Sequence, residues 1–402
     1  GKNKKQARKA EGKQILAKRK DGYILSYFED EIFSHVPDEL HQSFLKLSFL
    51  DEIDISLARI LANIEEIDEH LDRMSDENFF VYRLDDKNKV FRFHHLFQEF
   101  LQILGRKELG QEVISSIYRR AAEYYLEHDL TEKALKALRN AEDYPRMEEI
   151  LQSRGLQLVS ANRTVTLLAI LQSIPENFLL KHSWLTFFHA LLSTDFTPRL
   201  TTTYFESCIP QFIRDKDEFG ELMSLSQILY FHFVISGNYR TGSRLLERTR
   251  TLFEKNRKVL PPELSILVAR NLAAGYSFFD GKFDNARHYA KIACDLAIKH
   301  DSRNFIASTR FVLGYIGLLS GNNRMAVNEI EQSYRLGSDP MVGMSNRLTL
   351  HIMQLCQLSM HGDFSGFQHI KAMIPASVDE TIIQQTVAAP YLYVWSAIAL
   401  LS

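Results

Sequence analysis

Few residues in this chain have types and spacings suited to chemistry. His94 and His95 stand side by side. On a helix, adjacent side chains diverge by about 100°, so the pair cannot readily share a metal ion. No other histidines have zinc-ligand spacing on one helix. Gly12-Lys13 is followed by Gln14 and lacks the spaced glycine of a phosphate-binding loop. Cys208, Cys294 and Cys356 are scattered, which reads as reduced, buried thiols of a cytoplasmic protein. No nucleophile elbow and no Cys–His arrangement stands out. The chain is therefore expected to be non-catalytic, to hold no metal, and neither to hydrolyse ATP nor to bind it tightly.

The elements around these residues are mostly helical. The chain has 402 residues, too many for one core, and a formal net charge of -2 that gives no general push toward nucleic acid or membrane. No apolar run is long enough to span a bilayer. Residues 2–20 carry nine Lys/Arg against Glu11 alone. Without interleaved aromatics they read as a solvated linker or truncated end rather than a nucleic-acid contact. The chain starts at Gly1 and stops on the apolar run Ala397-Ile398-Ala399-Leu400-Leu401-Ser402, so it is expected to be a segment of a longer protein.

Residues 21–104 have the layout of a winged helix. A helix is expected from about Tyr23 to His35, a second from Pro37 to about Leu47, and short ones near Ser56–Leu61 and Ile64–Met74. Phe79-Phe80-Val81-Tyr82-Arg83-Leu84 and Val90-Phe91-Arg92-Phe93, joined by a charged turn, predict one β-hairpin, the only β structure expected. A helix follows from about His94 to Leu104. The Ile64–Met74 segment carries Glu65, Glu66, Asp68, Glu69 and Asp72 against Arg73. So acidic a helix does not belong among DNA phosphates.

Residues 105–200 read as a helical connector, with another helix starting at Pro145, and 201–402 as a superhelical array of tetratricopeptide-like repeats. Gly237, Gly281, Gly321 and Gly362 sit in similar polar turns, 44, 40 and 41 residues apart. A glycine that ends one helix before an amphipathic return helix makes an αα-hairpin, and repetition at this period makes a solenoid. Gly281 and Gly321 are expected in left-handed conformation. The aromatics Tyr230, Phe231, Phe233, Phe278 and Phe279, and His182, Trp184 and His189, read as repeat core rather than ligand box. The fold class is thus mostly α.

Four stretches, in order, resemble the STAND-class signalling ATPases, especially the bacterial MalT-like activators that carry a LuxR-type DNA-binding domain. They are Tyr23–Ile32, Phe44–Leu50, Asn78–Asp85 through His94–Phe97, and Leu171–Glu176. The resemblance covers roughly residues 20–200 in detail. It implies the regulatory, effector-sensing portion of an ATP-dependent transcriptional activator, with ATP/ADP bound by an ATPase domain outside this segment. It also implies an inducer or partner on the superhelix, DNA contact through a separate C-terminal domain, and self-association with ATP. In such proteins a histidine after the wing touches bound ADP, and His94 matches that position. His95 departs from the Asp of plant and animal relatives and takes no role. The alternatives stay open at this point: His94 as nucleotide contact or as a packing residue, and the chain as switch or as plain interaction scaffold.

Overall fold

The computed structural model describes residues 36–370 except 86, 88, 162, 195–196, 233–238, 338, 361, 364 and 367, with Phe28, Ile32 and Phe33 before them. The expectations for residues 1–20, Gly237, Phe233 and the terminal run 397–402 lie outside these residues, as does most of the helix expected at 23–35. The chain divides into two compact units, 1–143 and 144–402.

The first unit opens with α1 (Asp38–Leu47), after Pro37 and with Asp38 and Glu39 in its first turn, where the helix dipole favours acids. A two-residue strand, β1 (Ile53–Asp54), leads into α2 (Ile55–Ala62). Asp54 caps α2 by accepting hydrogen bonds from the Ser56 and Leu57 amides at 2.9 and 3.3 Å. Asn63, in left-handed conformation, ends it. Then come α3 (Ile67–Asp76), β2 (Val81–Asp85), β3 (Val90–Phe93) and α4 (His95–Glu108).

The sheet has three strands in the order β1-β3-β2, all antiparallel, with Ile53 opposite Phe91 and Val81 opposite Phe93. This corrects the expectation of a lone hairpin: two residues are too few to show alternation, and β1 forms because β3 offers it an edge. The bounds move as well. α3 begins at Ile67 rather than Ile64, and Phe79 and Phe80 precede β2 rather than opening it. Along β3, Phe91 and Phe93 are buried and Arg92 is exposed, the period of two that a half-buried strand requires. On that face Phe93 packs 5.6 Å from Phe44 and 5.7 Å from Phe97, and Leu40, Leu57, Leu71 and Leu101 are buried in the same unit.

An αα-hairpin, α5 (Gln111–Glu127) and α6 (Thr131–Asn140), completes this unit. It docks by polar contacts on the β1 segment. The Tyr124 hydroxyl donates to the same Asp54 Oδ1 that caps α2, at 2.7 Å. Lys133 pairs with Glu52 at 2.9 Å, Lys136 with Asp51, and the Arg120 guanidinium donates to the Ile60 carbonyl at 2.6 Å.

The second unit is a superhelical stack of helix pairs. It starts with α7 (Tyr144–Ser160), α8 (Thr164–Gln172) and the short α9 (Glu176–Leu179). It continues as α10 (Ser183–Ser193), α11 (Pro198–Arg214), α12 (Glu218–Phe231), α13 (Tyr239–Asn256) and α14 (Pro262–Gly275). A π-helical turn over Tyr276–Asp280 leads to α15 (Phe283–Lys299), α16 (Arg303–Leu319), α17 (Asn323–Gly337) and α18 (Met344–Met360). From α9 onward consecutive helices pack on each other, and the even-numbered helices α10 to α18 also touch in series. The winding brings α7 back against α14 and α16, where the Asn304 amide donates to the Val159 carbonyl at 3.4 Å.

Small residues set the approach. Ala273, Ala274, Ala286 and Ala290 are all buried. Gly281, Gly321 and Gly362 have φ of 63°, 71° and 69°, as their turns require. Trp184 packs on Phe187, Phe188 and Phe212 and donates its indole N–H to Asp217 at 2.8 Å. His182 bonds Glu148 at 2.7 Å. Tyr230, Phe231, Phe278 and Phe279 are half-buried. Arg270 lies 5.6 Å over the Tyr230 ring, Phe278 stacks on Tyr315, and a Cβ on Gly242 would strike Phe279. Cys208 and Cys294 are buried free thiols, and burial pushes the Cys208 thiol up to about 12.

Candidate functional site at the base of the wing

His94 sits between β3 and α4. Its backbone N–H donates to the Phe80 carbonyl at 2.7 Å, closing the base of the hairpin, and its carbonyl starts α4 by accepting from the Gln98 amide at 2.8 Å. The backbone is extended at φ -56°, ψ 136°, an N-cap geometry, yet the side chain makes no capping hydrogen bond. The ring is half-buried, and Nδ1 is shielded without a hydrogen-bond partner among the described residues. His95, one residue on, is exposed. The two rings lie 5.4 Å apart and 52° askew.

Two aromatics flank His94 that the sequence reading passed over. Phe80 meets its ring edge-on at 5.9 Å, and Tyr82 lies 5.8 Å away at 56°. The period of two carried the signal. Val81 and Phe93 are opposed and buried, so the paired Tyr82 and Arg92 fall to the other face of the ribbon, while Phe80, just before β2, reaches the His94 ring from a left-handed turn. Phe80 has φ 56°, a left-handed conformation that costs a bulky residue roughly 1–3 kcal/mol. Its ring packs 5.3 Å from Phe28 and 5.9 Å from Phe97, which helps to offset that cost.

The acids of α3 are arranged to hold the wing. Arg83 of β2 pairs with Asp72 at 2.7 Å and Asp76 at 3.3 Å. Lys89 reaches Asp68 at 3.1 Å and Asp72 at 3.4 Å, and Arg59 also meets Asp68 at 3.1 Å. Burial pushes the Asp68 carboxyl up, but Lys89 and Arg59 outweigh it and bring it below the usual carboxylate range. Glu65, Glu66 and Glu69 remain exposed. The helix that would read DNA in other winged helices is thus clamped to its own hairpin on one side and acidic on the other.

A family model described as the MalT winged helix domain matches residues 29–113. The winged-helix segment is thus similar to that of MalT. Similar proteins include the HTH-type transcriptional regulator MalT of Serratia proteamaculans, 27% identical over 184 residues, 45% of this chain and 20% of that protein. The MalT of Vibrio campbellii is 23% identical over 171 residues, 42% of this chain and 19% of its own length. The serine/threonine-protein kinase PknK of Mycobacterium tuberculosis is 25% identical over 161 residues, 40% of this chain and 14% of the kinase. The matches thus span about a fifth or less of these relatives. Among the described residues, the winged-helix module and the stack hold no group of three His, Cys, Asp or Glu that could bind a metal ion. No described helix is long and apolar enough to cross a membrane.

Proposed function

We propose that this chain is the regulatory and effector-sensing portion of an ATP-dependent, cytoplasmic transcriptional activator. In this reading the winged helix helps hold ADP in the off state through His94, and the helical stack binds an inducer or partner. The observation that carries it is His94 itself, half-exposed at the start of α4, its side chain making no capping hydrogen bond to the helix. A histidine there can bond a phosphate presented by an ATPase module of the same protein, and the partial positive charge of a helix N-terminus favours that anion. The contact exists only when the modules are docked, which couples nucleotide to the closed arrangement. Inducer binding on the stack would release ADP, admit ATP and drive self-association, with DNA engaged by a separate domain.

Losing a hydrogen bond to a charged group costs about 1.5–3 kcal/mol, which shifts a closed–open equilibrium roughly ten- to a hundredfold. In the full-length protein, His94→Ala is expected to speed ADP release and raise activity without inducer, and His95→Ala to do less. Equal ADP dissociation rates for wild type and His94→Ala would sink this role. A plain interaction scaffold is the second reading, favoured by the similarity to a protein kinase with a different output. A phosphate-binding loop upstream in the complete gene decides against it.

A further inference from the structure

The neighbours of His94 say more than that it is available. A neutral imidazole has one N–H donor and one bare nitrogen. The Nδ1 of His94 is shielded and meets no hydrogen-bond partner among the described residues. A proton on that nitrogen would be a buried donor with no acceptor, a rarer and costlier arrangement than a bare acceptor. Two aromatics, Phe80 and Tyr82, flank the ring and hold it with Nδ1 inward. Phe80 stands edge-on to it, fixed by Phe28 and Phe97 and by its own left-handed backbone. Tyr82, 50% exposed, flanks it on the open side. The Phe80 carbonyl also bonds the His94 amide, so one residue sets both the backbone and the ring.

We infer that Phe80 and Tyr82 are positioning residues that lock His94 into the tautomer protonated at Nε2, presenting a neutral N–H donor outward. The inference rests on His94 as a contact residue for its purpose, but the tautomer is measurable with no nucleotide present. It also assigns a use to the strained Phe80: the left-handed turn places both its carbonyl and its ring against His94. A donor of fixed orientation suits a phosphoryl oxygen, which only accepts hydrogen bonds.

The test is a two-bond proton–nitrogen correlation spectrum of the whole chain with ¹⁵N-labelled histidine, taken about two pH units above the ordinary histidine value. His94→Asn identifies the signals. The expected result is His94 protonated at Nε2 with a preference of roughly tenfold or more. Tyr82→Phe, which keeps the ring, should preserve it, while Tyr82→Leu and Phe80→Leu should erode it and leave His95 unchanged. Because Tyr82 is half exposed, its variants keep the test usable if Phe80→Leu fails to fold. A proton on Nδ1 in the wild type, or a tautomer ratio indifferent to both leucine variants, would overturn the inference. If His94→Ala leaves ADP release unchanged while the tautomer is as expected, the nucleotide role fails and the positioning stands.

Discussion

At the scale of single residues, two glycines of the stack have opposite reasons for being glycine. Gly281 has φ 63°, and a Cβ built on it would meet nothing within 4 Å. Its requirement is purely conformational, because left-handed backbone costs other residues roughly 1–2 kcal/mol. Gly317 has no such φ, but a Cβ there would lie 2.8 Å from the backbone nitrogen of Ala326. Its requirement is contact between α16 and α17. Gly281→Val is therefore expected to destabilise by about 1 kcal/mol or more, and Gly281→Asn by less, since asparagine tolerates this region. Gly317→Ala should cost more than Gly281→Asn, because overpacking against backbone typically costs about 1–3 kcal/mol. Urea unfolding of the three variants checks the order. A Gly317→Ala as stable as wild type would mean that the helix pair can separate freely.

At the scale of elements, Asp54 joins β1, α2 and α5 through one carboxylate oxygen. Burial and this carboxylate push the Tyr124 hydroxyl up to about 12, so it stays protonated and donates. Asp54→Ala loses the cap, about 0.5–2 kcal/mol, and also leaves the hydroxyl of the buried Tyr124 without this acceptor. Tyr124→Phe should cost about 1 kcal/mol. In a double-mutant cycle by urea unfolding the two losses should fall short of additive; strict additivity would mean the bond carries no stability. This junction shows where the sequence was legible. The hairpin, the repeat glycines and the acidic α3 announce themselves by local patterns that burial and turn geometry enforce. The strand β1 does not, because its pairing with β3 depends on residues 38 positions away, as Ile53 opposite Phe91 illustrates. His94 is legible through motif likeness alone. Of its flanking aromatics, Tyr82 needs the register of the sheet, which the buried Phe93 opposite Val81 fixes, and Phe80 needs the left-handed turn before β2.

At the scale of the molecule, both units hold lowered acids, Glu218 among them in the second, but the depressed histidines among the described residues all lie in the second unit, which gives the units different responses to acid. In the second unit His189, His232 and His351 are all held below the ordinary histidine value, in each case chiefly by burial. Glu176 opposes the shift at His189 and Glu206 at His232; at His351 the Gln354 hydrogen bond opposes it and Arg347 reinforces it. The folded state thus prefers these rings neutral, whereas the unfolded chain protonates them near 6.5. The unfolded state then binds more protons in this window, so stability rises with pH through it. Equivalently, the contribution is present above about 6.5 and is lost as pH falls from there toward the folded values. In the first unit the shifted acids are Glu52, lowered chiefly by the Lys133 hydrogen bond, and Asp68. Their contribution persists above the ordinary carboxylate range, about 4, and is lost only as pH falls below it. Moving from pH 7.5 to about 5.5 should therefore weaken the helical stack while leaving the winged-helix unit nearly unchanged. Amide exchange, corrected for its intrinsic pH dependence and read separately over 36–143 and 144–370, measures this directly. His351→Gln should reduce the loss, because it removes one buried ring that must charge. Protection lost first in the winged-helix unit, or equally in both units, would show that buried histidines do not set the acid stability of the stack.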